Sequence, residues 1–262
     1  MSLWQHRLGG ALTAVAVGAA AVGMSVSQGT LITQGECRMV NGANVCVWAE
    51  TGNDTLVSFG ATVPIQSIEN APSDAPMVWP PVPAATIPLP DVARSGSGFD
   101  NLTVYWEPHG HPPGAFLAPH FDFHFNAISS ADIAAIDCSD LSKPTRLSAR
   151  YALPDVPVPN MGTLVGLCVP GMGMHSLPAS ELRSATTFQK TMVFGYYHAR
   201  PIFLEPMLTR ETLLKRRSFT LDVPHVPGQP IAVRAPTRFR ADYDRGAQAY
   251  RFVFSGLITS RR

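Results

Sequence analysis

From His120 to Phe125 polar and apolar residues alternate without a break: His120, Asp122 and His124 on one parity, Phe121, Phe123 and Phe125 on the other. Successive side chains of a β-strand face opposite sides. The segment therefore predicts a strand with one buried phenylalanine face and one His-Asp-His face. Weaker period-two patterns predict strands at residues 55–63 and 101–106, a hairpin from residues 191–197 and 199–205, and a last strand at residues 250–258. Between Cys37 and Cys46 the chain centres on Asn41-Gly42, the preferred two-residue type I′ hairpin turn. Counting outward pairs Val40 with Ala43, Met39 with Asn44, Arg38 with Val45 and Cys37 with Cys46.

Helical patterns are few. Residues 129–136 read as a short helix capped by Ser129 or Ser130, with Asp132 in its first turn. Residues 206–215 read as another, with proline in the first turn. Residues 144–152 read as extended, and the two glycines before His175 as a tight turn that aims one side chain. With 24 prolines and 21 glycines, the expected fold class is mainly β. It is a β-rich α+β chain with an antiparallel sandwich or barrel-like sheet and a few short helices.

Charge narrows the partners. A net charge of +1 with 15% charged residues leaves no basic field for nucleic acid. His6 and Arg7 precede a charge-free stretch over residues 8–26, which ends in small residues at Ser25 and Ser27. This predicts a signal peptide over residues 1–27. An uncleaved anchor is the rival, but the Gly/Ala content makes the run weakly hydrophobic. The expected address is secreted or periplasmic, with no stable membrane domain after cleavage. The expected organisation is an N-terminal disulfide hairpin and strand over residues 28–70 and a Pro-rich connection over residues 71–98. The main His-rich β domain, residues 99–262, would form one globular unit with residues 28–70.

The four cysteines allow three pairings. The hairpin register selects Cys37–Cys46 and leaves Cys138 for Cys168, the rival being buried free thiols. A disulfide framework implies an oxidising compartment.

Residues 106–125 hold four of the eight histidines, His109, His111, His120 and His124, together with Asp122. Imidazole and carboxylate are the usual ligands of zinc and related divalent metals. His175, beyond the glycine turn, and Glu205, taken as the end of an apolar strand before Pro206, are natural companions. The candidate metal ligands are thus His120, Asp122, His124, His175 and Glu205. His109 and His111 are expected on a loop, supporting the ligands from behind. Strand residues i and i+4 stand about 13 Å apart, whereas zinc–nitrogen bonds are about 2.0–2.1 Å. His120 and His124 therefore cannot share an ion from a straight strand, although a bulge would shorten the span. Zinc is the leading ion, with copper or iron also compatible. No Gly-x-Ser-x-Gly elbow, phosphate loop or dinucleotide fingerprint is present. No catalytic residue can be assigned.

At these residues the chain resembles a little-characterised family of exported bacterial proteins, a domain of unknown function. Its ordered signature runs W-x-P-x-G-H-x-P, P-H-F-D-F-H-F-Y, M-G-x-H and E-P-M-[IVL]-T. The matching segments are residues 106–113, 119–126, 171–175 and 205–209, and the resemblance spans roughly residues 85–258. The chain departs at Asn126, where the family usually has tyrosine. The resemblance implies an exported β-rich domain with these site residues, and it implies no activity.

The leading expectation is an exported protein with a His/carboxylate metal site, whose standing as an enzyme is open. The alternative is a non-enzymatic periplasmic stress or envelope protein in which the same residues form a buried structural network. A third reading is a binding protein for a small molecule of unknown identity, using Trp79, Tyr105 and Trp106. A homo-oligomer also stays open.

Overall fold

A computed structural model describes residues 29–226, 229 and 231–259. Residues 1–27, expected as a signal peptide, lie outside the described residues. Among the described residues no helix is long and apolar enough to cross a membrane.

The first sheet opens with β1 (Leu31–Val40), β2 (Ala43–Gly52) and β3 (Thr55–Pro64). The β1–β2 turn has the predicted register, Val40 opposite Ala43 through Cys37 opposite Cys46. Asn41 and Gly42 adopt φ values of 47° and 85°, the left-handed pair that a type I′ turn demands. Cys37 and Cys46 are disulfide-bonded across a Cα–Cα distance of 4.0 Å.

The second sheet uses β4 (Ala85–Pro88), β5 (Asn101–Glu107), β6 (His120–Asn126), β7 (Cys168–Val169), β8 (Gly173–Pro178), β9 (Lys190–Tyr197) and β10 (Arg200–Thr209). Then β11 (Phe219–Asp222), β12 (Arg238–Asp244) and β13 (Ala249–Ser255) return to the first. The first sheet runs β1-β2-β3-β13-β12-β11 and the second β7-β8-β9-β10-β6-β5-β4. Pairing in both is antiparallel, and neither closes into a barrel.

The Phe parity of β6 joins the two sheets. Phe123 packs on Phe252 and Phe125 on Phe254, each with ring centroids 4.9 Å apart. All four rings are fully buried, and truncating one such ring to alanine typically costs about 3–5 kcal/mol. The His parity of β6 is also buried, because loops cover the outer face of the second sheet. A smaller core that includes Phe116, Leu167, Phe188 and Phe203 packs there.

Four short helices occur among the described residues: α1 (Ile65–Glu69), α2 (Asp91–Ser97), α3 (Ser130–Ala134) and α4 (Arg210–Leu214). In α3 the Ser129 side chain accepts from the Asp132 amide, as the sequence predicts. The helix expected over residues 206–215 is only α4. Strand β10 runs on to Thr209, whose side chain caps α4 by accepting from the Thr212 amide. Glu205 therefore lies inside a strand, not at its end. Residues 71–98 also depart from a bare connection, since they contain β4 and α2. Here β4 pairs Ile87 with Leu102 at the sheet edge, a position that tolerates the neighbouring prolines. Of residues 144–152, expected as extended, only Tyr151–Ala152 pair, against β8.

The second disulfide joins Cys138 and Cys168 over a Cα–Cα distance of 6.0 Å and a separation of 30 residues. It pins the chain next to Leu167, whose carbonyl holds His175 in place. Replacing both cysteines with alanine is expected to cost about 2–4 kcal/mol, read as a lower denaturant midpoint. An unchanged midpoint would show that the covering loop holds itself.

Candidate functional site

The site is built on the outer face of the second sheet. On β6, His120, Asp122 and His124 share that face, as the alternation requires. β5 flanks them, setting Glu107 opposite His120, Tyr105 opposite Asp122 and Thr103 opposite His124. On the other side β10 sets Thr209 opposite His120 and Met207 opposite Asp122. Between the Met207–Asp122 and Leu204–Phe125 pairs the β6–β10 ladder skips Glu205 and Pro206. Proline has no N–H to give, so the ladder is interrupted beside the Glu205 carboxylate. His175 arrives from β8, two strands beyond β10. His120, Asp122, His124, His175 and Glu205 are all buried.

Together with His111 these residues form two groups. One is His124, His175 and Glu205; the other is His111, His120 and Asp122. Within each group, one ligand atom per residue lies within 4.8 Å of the others. The rise of a strand separates His120 from His124, and each joins its own group. His111 comes from the loop after β5. His109 stands apart on the surface, its ring Nε2 3.1 Å from the Ala75 carbonyl.

The ring orientations decide what the groups can do. His175 Nδ1 lies 3.0 Å from the Leu167 carbonyl, His120 Nδ1 2.6 Å from that of Ala118, and His111 Nδ1 2.9 Å from that of Pro112. A carbonyl only accepts, so each Nδ1 carries the hydrogen. In the neutral ring, Nε2 then holds a bare lone pair. For His120 and His175 that lone pair points at a carboxylate, and His124 Nε2 also faces one. His120 Nε2 is 3.3 Å from Asp122 Oδ1; His124 Nε2 and His175 Nε2 are 3.4 and 3.9 Å from Glu205 Oε2. Hydrogen bonds prefer about 2.7–3.2 Å. Two ligands at about 2.0–2.1 Å from a tetrahedral zinc ion stand about 3.3–3.4 Å apart. The nitrogen atoms His120 Nε2 and His124 Nε2 have no hydrogen-bond partner, nor do Asp122 Oδ1 and either Glu205 oxygen. Buried polar atoms are rarely left so.

Burial sets the charges. It pushes His124 and His175 down to about 3, and holds His120 well below the ordinary imidazole value. It also lowers His111. Burial raises Asp122 and Glu205 well above the carboxylate range, and the charge of Glu107 adds to both. Glu107 itself is raised to about 7 by burial. Without a cation the imidazoles are neutral and the carboxyls hold protons; a cation between them would replace those protons.

Aromatic rings fix the His124 group. Phe203 stacks on His124 with centroids 4.3 Å apart and an interplanar angle of 16°. Phe203 also lies against His175, and Tyr105 against His124. Gly195 makes the space: a Cβ there would stand 1.9 Å from the Phe203 ring. Gly195→Ala is expected to cost about 1–3 kcal/mol as overpacking, measured by chemical denaturation. A neutral result would mean that Phe203 is free to move off the histidines.

A cavity of about 80 Å³ opens over both groups, with His111, Asp122, His175 and Glu107 among its lining. Its other walls are mainly apolar and include Trp79, which is partly exposed. Trp106 is elsewhere, packed on Phe121 with its indole N–H donated to the Pro72 carbonyl. Glu107 was not singled out in the sequence. It repeats the Glu-Pro pair of Glu205-Pro206 and shares the parity of Tyr105, and these two signals would have found it. No family model, curated protein or solved structure matches this chain.

Proposed function

We propose that this chain is a divalent-metal-binding protein of an extracytoplasmic compartment, secreted or periplasmic, and that it holds an ion between His124, His175 and Glu205. The observation that carries this reading is that His124 Nε2 and His175 Nε2 converge on Glu205 Oε2 at 3.4 and 3.9 Å inside a buried site where His124 Nε2 and both Glu205 oxygens lack a hydrogen-bond partner. With its Nδ1 hydrogen on the Leu167 carbonyl, His175 turns an Nε2 lone pair toward Glu205, and two acceptors so placed repel unless a cation or a proton stands between them. Anchoring of His175 Nδ1 to a backbone carbonyl is what metal-binding histidines usually require. Two nitrogens and one oxygen suit zinc, and three protein ligands leave a fourth position for water or a ligand oxygen, as in catalytic zinc sites. The two disulfides support an oxidising address.

The rival is a metal-free network, favoured by the same burial: a protonated Glu205 can donate to His124 Nε2. Elemental analysis of the untagged wild-type protein separates the two. The metal reading expects stoichiometric zinc or a related ion, and a lower melting temperature after chelation. No bound metal, with a melting temperature indifferent to chelator, would leave the network reading standing.

A further inference from the structure

We propose that His111, His120 and Asp122 hold a second divalent ion beside the first, so that the outer face of the second sheet carries a two-metal centre. The inference rests on the reading of the His124 group as a metal site and extends it.

The strand geometry itself calls for two ions. His120 and His124 sit on one face of one strand, about 13 Å apart by strand rise, and a single ion cannot take both. The second group also has the features of a site in its own right. His120 Nε2 and Asp122 Oδ1 face each other at 3.3 Å, their side chains 0% and 5% exposed, and neither atom has a hydrogen-bond partner. The separation is the one expected for two ligands on a tetrahedral zinc ion. Both imidazoles of the group have Nδ1 committed to backbone carbonyls, at Ala118 and Pro112. Each therefore offers a free Nε2.

The loop that delivers His111 is shaped for that task. Gly110 has a φ of +66°, and a Cβ there would meet the Phe116 carbonyl oxygen at 2.2 Å. The His111 amide donates to that same carbonyl across 3.2 Å, closing the loop over β6. The His111 and His120 rings then meet edge to face, centroids 4.9 Å apart.

The two groups are neighbours. His111 and Asp122 from one group and His175 from the other line the same cavity. That cavity gives an ion its entry path and both groups a common face. A donor set of two imidazoles and one carboxylate again selects zinc or a similar divalent transition metal over calcium or magnesium, which prefer all-oxygen shells.

The test is metal stoichiometry on the full untagged chain, loaded with zinc, dialysed and measured by elemental analysis. Two zinc ions per chain are expected in the wild type. His111→Ala, in the covering loop, and His120→Gln, in the strand, are each expected to bring the count to one. His124→Ala combined with His175→Ala is expected to leave one, now dependent on His111. Circular dichroism and thermal melts establish that each variant is folded, and the loop variant carries the test if His120→Gln is not. One ion in the wild type, lost in the His124 and His175 variant and kept in His111→Ala, would overturn the second site and leave the first intact. Two ions that both survive His111→Ala and His120→Gln would overturn this assignment of ligands. No ion at all would sink both readings.

Discussion

Glu205→Gln is expected to lose the ion of the His124 group and yet, metal-free at pH 8, to be at least as stable as the metal-free wild type. The substitution keeps the shape of a protonated glutamic acid and removes its charge. Metal-free wild type must hold Glu205 protonated far above its normal range, because burial disfavours the carboxylate. That opposition is absent from the amide. Adding zinc separates the proteins. At 100-fold excess over its dissociation constant, an ion bound only to the folded state stabilises by about 2.7 kcal/mol. The wild type should gain about that much, and the variant should gain nothing through this group. A structural network predicts no such split, because the amide of the variant can still donate to His124 and zinc should stabilise neither protein. Thermal melts with chelator and with zinc, on both proteins, read all four states. A wild type that gains nothing from zinc, or a variant that gains as much as the wild type, would count against the metal reading.

The second large effect is on pH dependence. Asp122, Glu205 and Glu107 titrate in the folded state above the unfolded values near 4. The folded protein retains protons that the unfolded chain has released. Their contribution to stability is complete below about pH 4. It is lost as pH rises, through about 7 for Glu107, and burial holds the other two well above the ordinary carboxylate range as well. The buried histidines run the opposite way. His124 and His175 lie at about 3 when folded, against about 6.5 unfolded. Their contribution is complete above pH 6.5 and is lost as pH falls. From pH 6.5 to 9 only the carboxyls change, so metal-free protein should lose about 1.4 kcal/mol per pH unit for each proton still held. Metal-loaded protein should lose less, because bound ions have already displaced the protons of the ligand carboxyls Asp122 and Glu205. Melting temperatures across this range, with chelator and with zinc, should therefore diverge as pH rises. Parallel curves would contradict the account.

The alternation in residues 120–125 was the most legible feature. Its Phe parity carries the contact between the sheets, and its His parity carries the site. The hairpin register at Asn41-Gly42 was legible for the same kind of reason: a local turn sets it. What the sequence hid depends on tertiary context. Nothing local says that loops will cover the outer face of the second sheet and bury a histidine row that alternation alone leaves facing outward. Pro206 suggested a helix start, but pairing of β10 with β6 and β9 overrides that preference and carries the strand past it. The sharing of ligands between two groups depends on where the loop after β5 places His111. Spacing along β6 could separate His120 from His124 without saying what each would meet.

The most direct test of the central claim is anomalous diffraction at the zinc edge from crystals of the zinc-loaded protein. The account predicts a peak bounded by His124 Nε2, His175 Nε2 and the Glu205 carboxylate, about 2.0–2.2 Å from each ligand atom. A fully loaded crystal with no anomalous peak there, and with Glu205 in direct hydrogen-bond contact with His124, would contradict it.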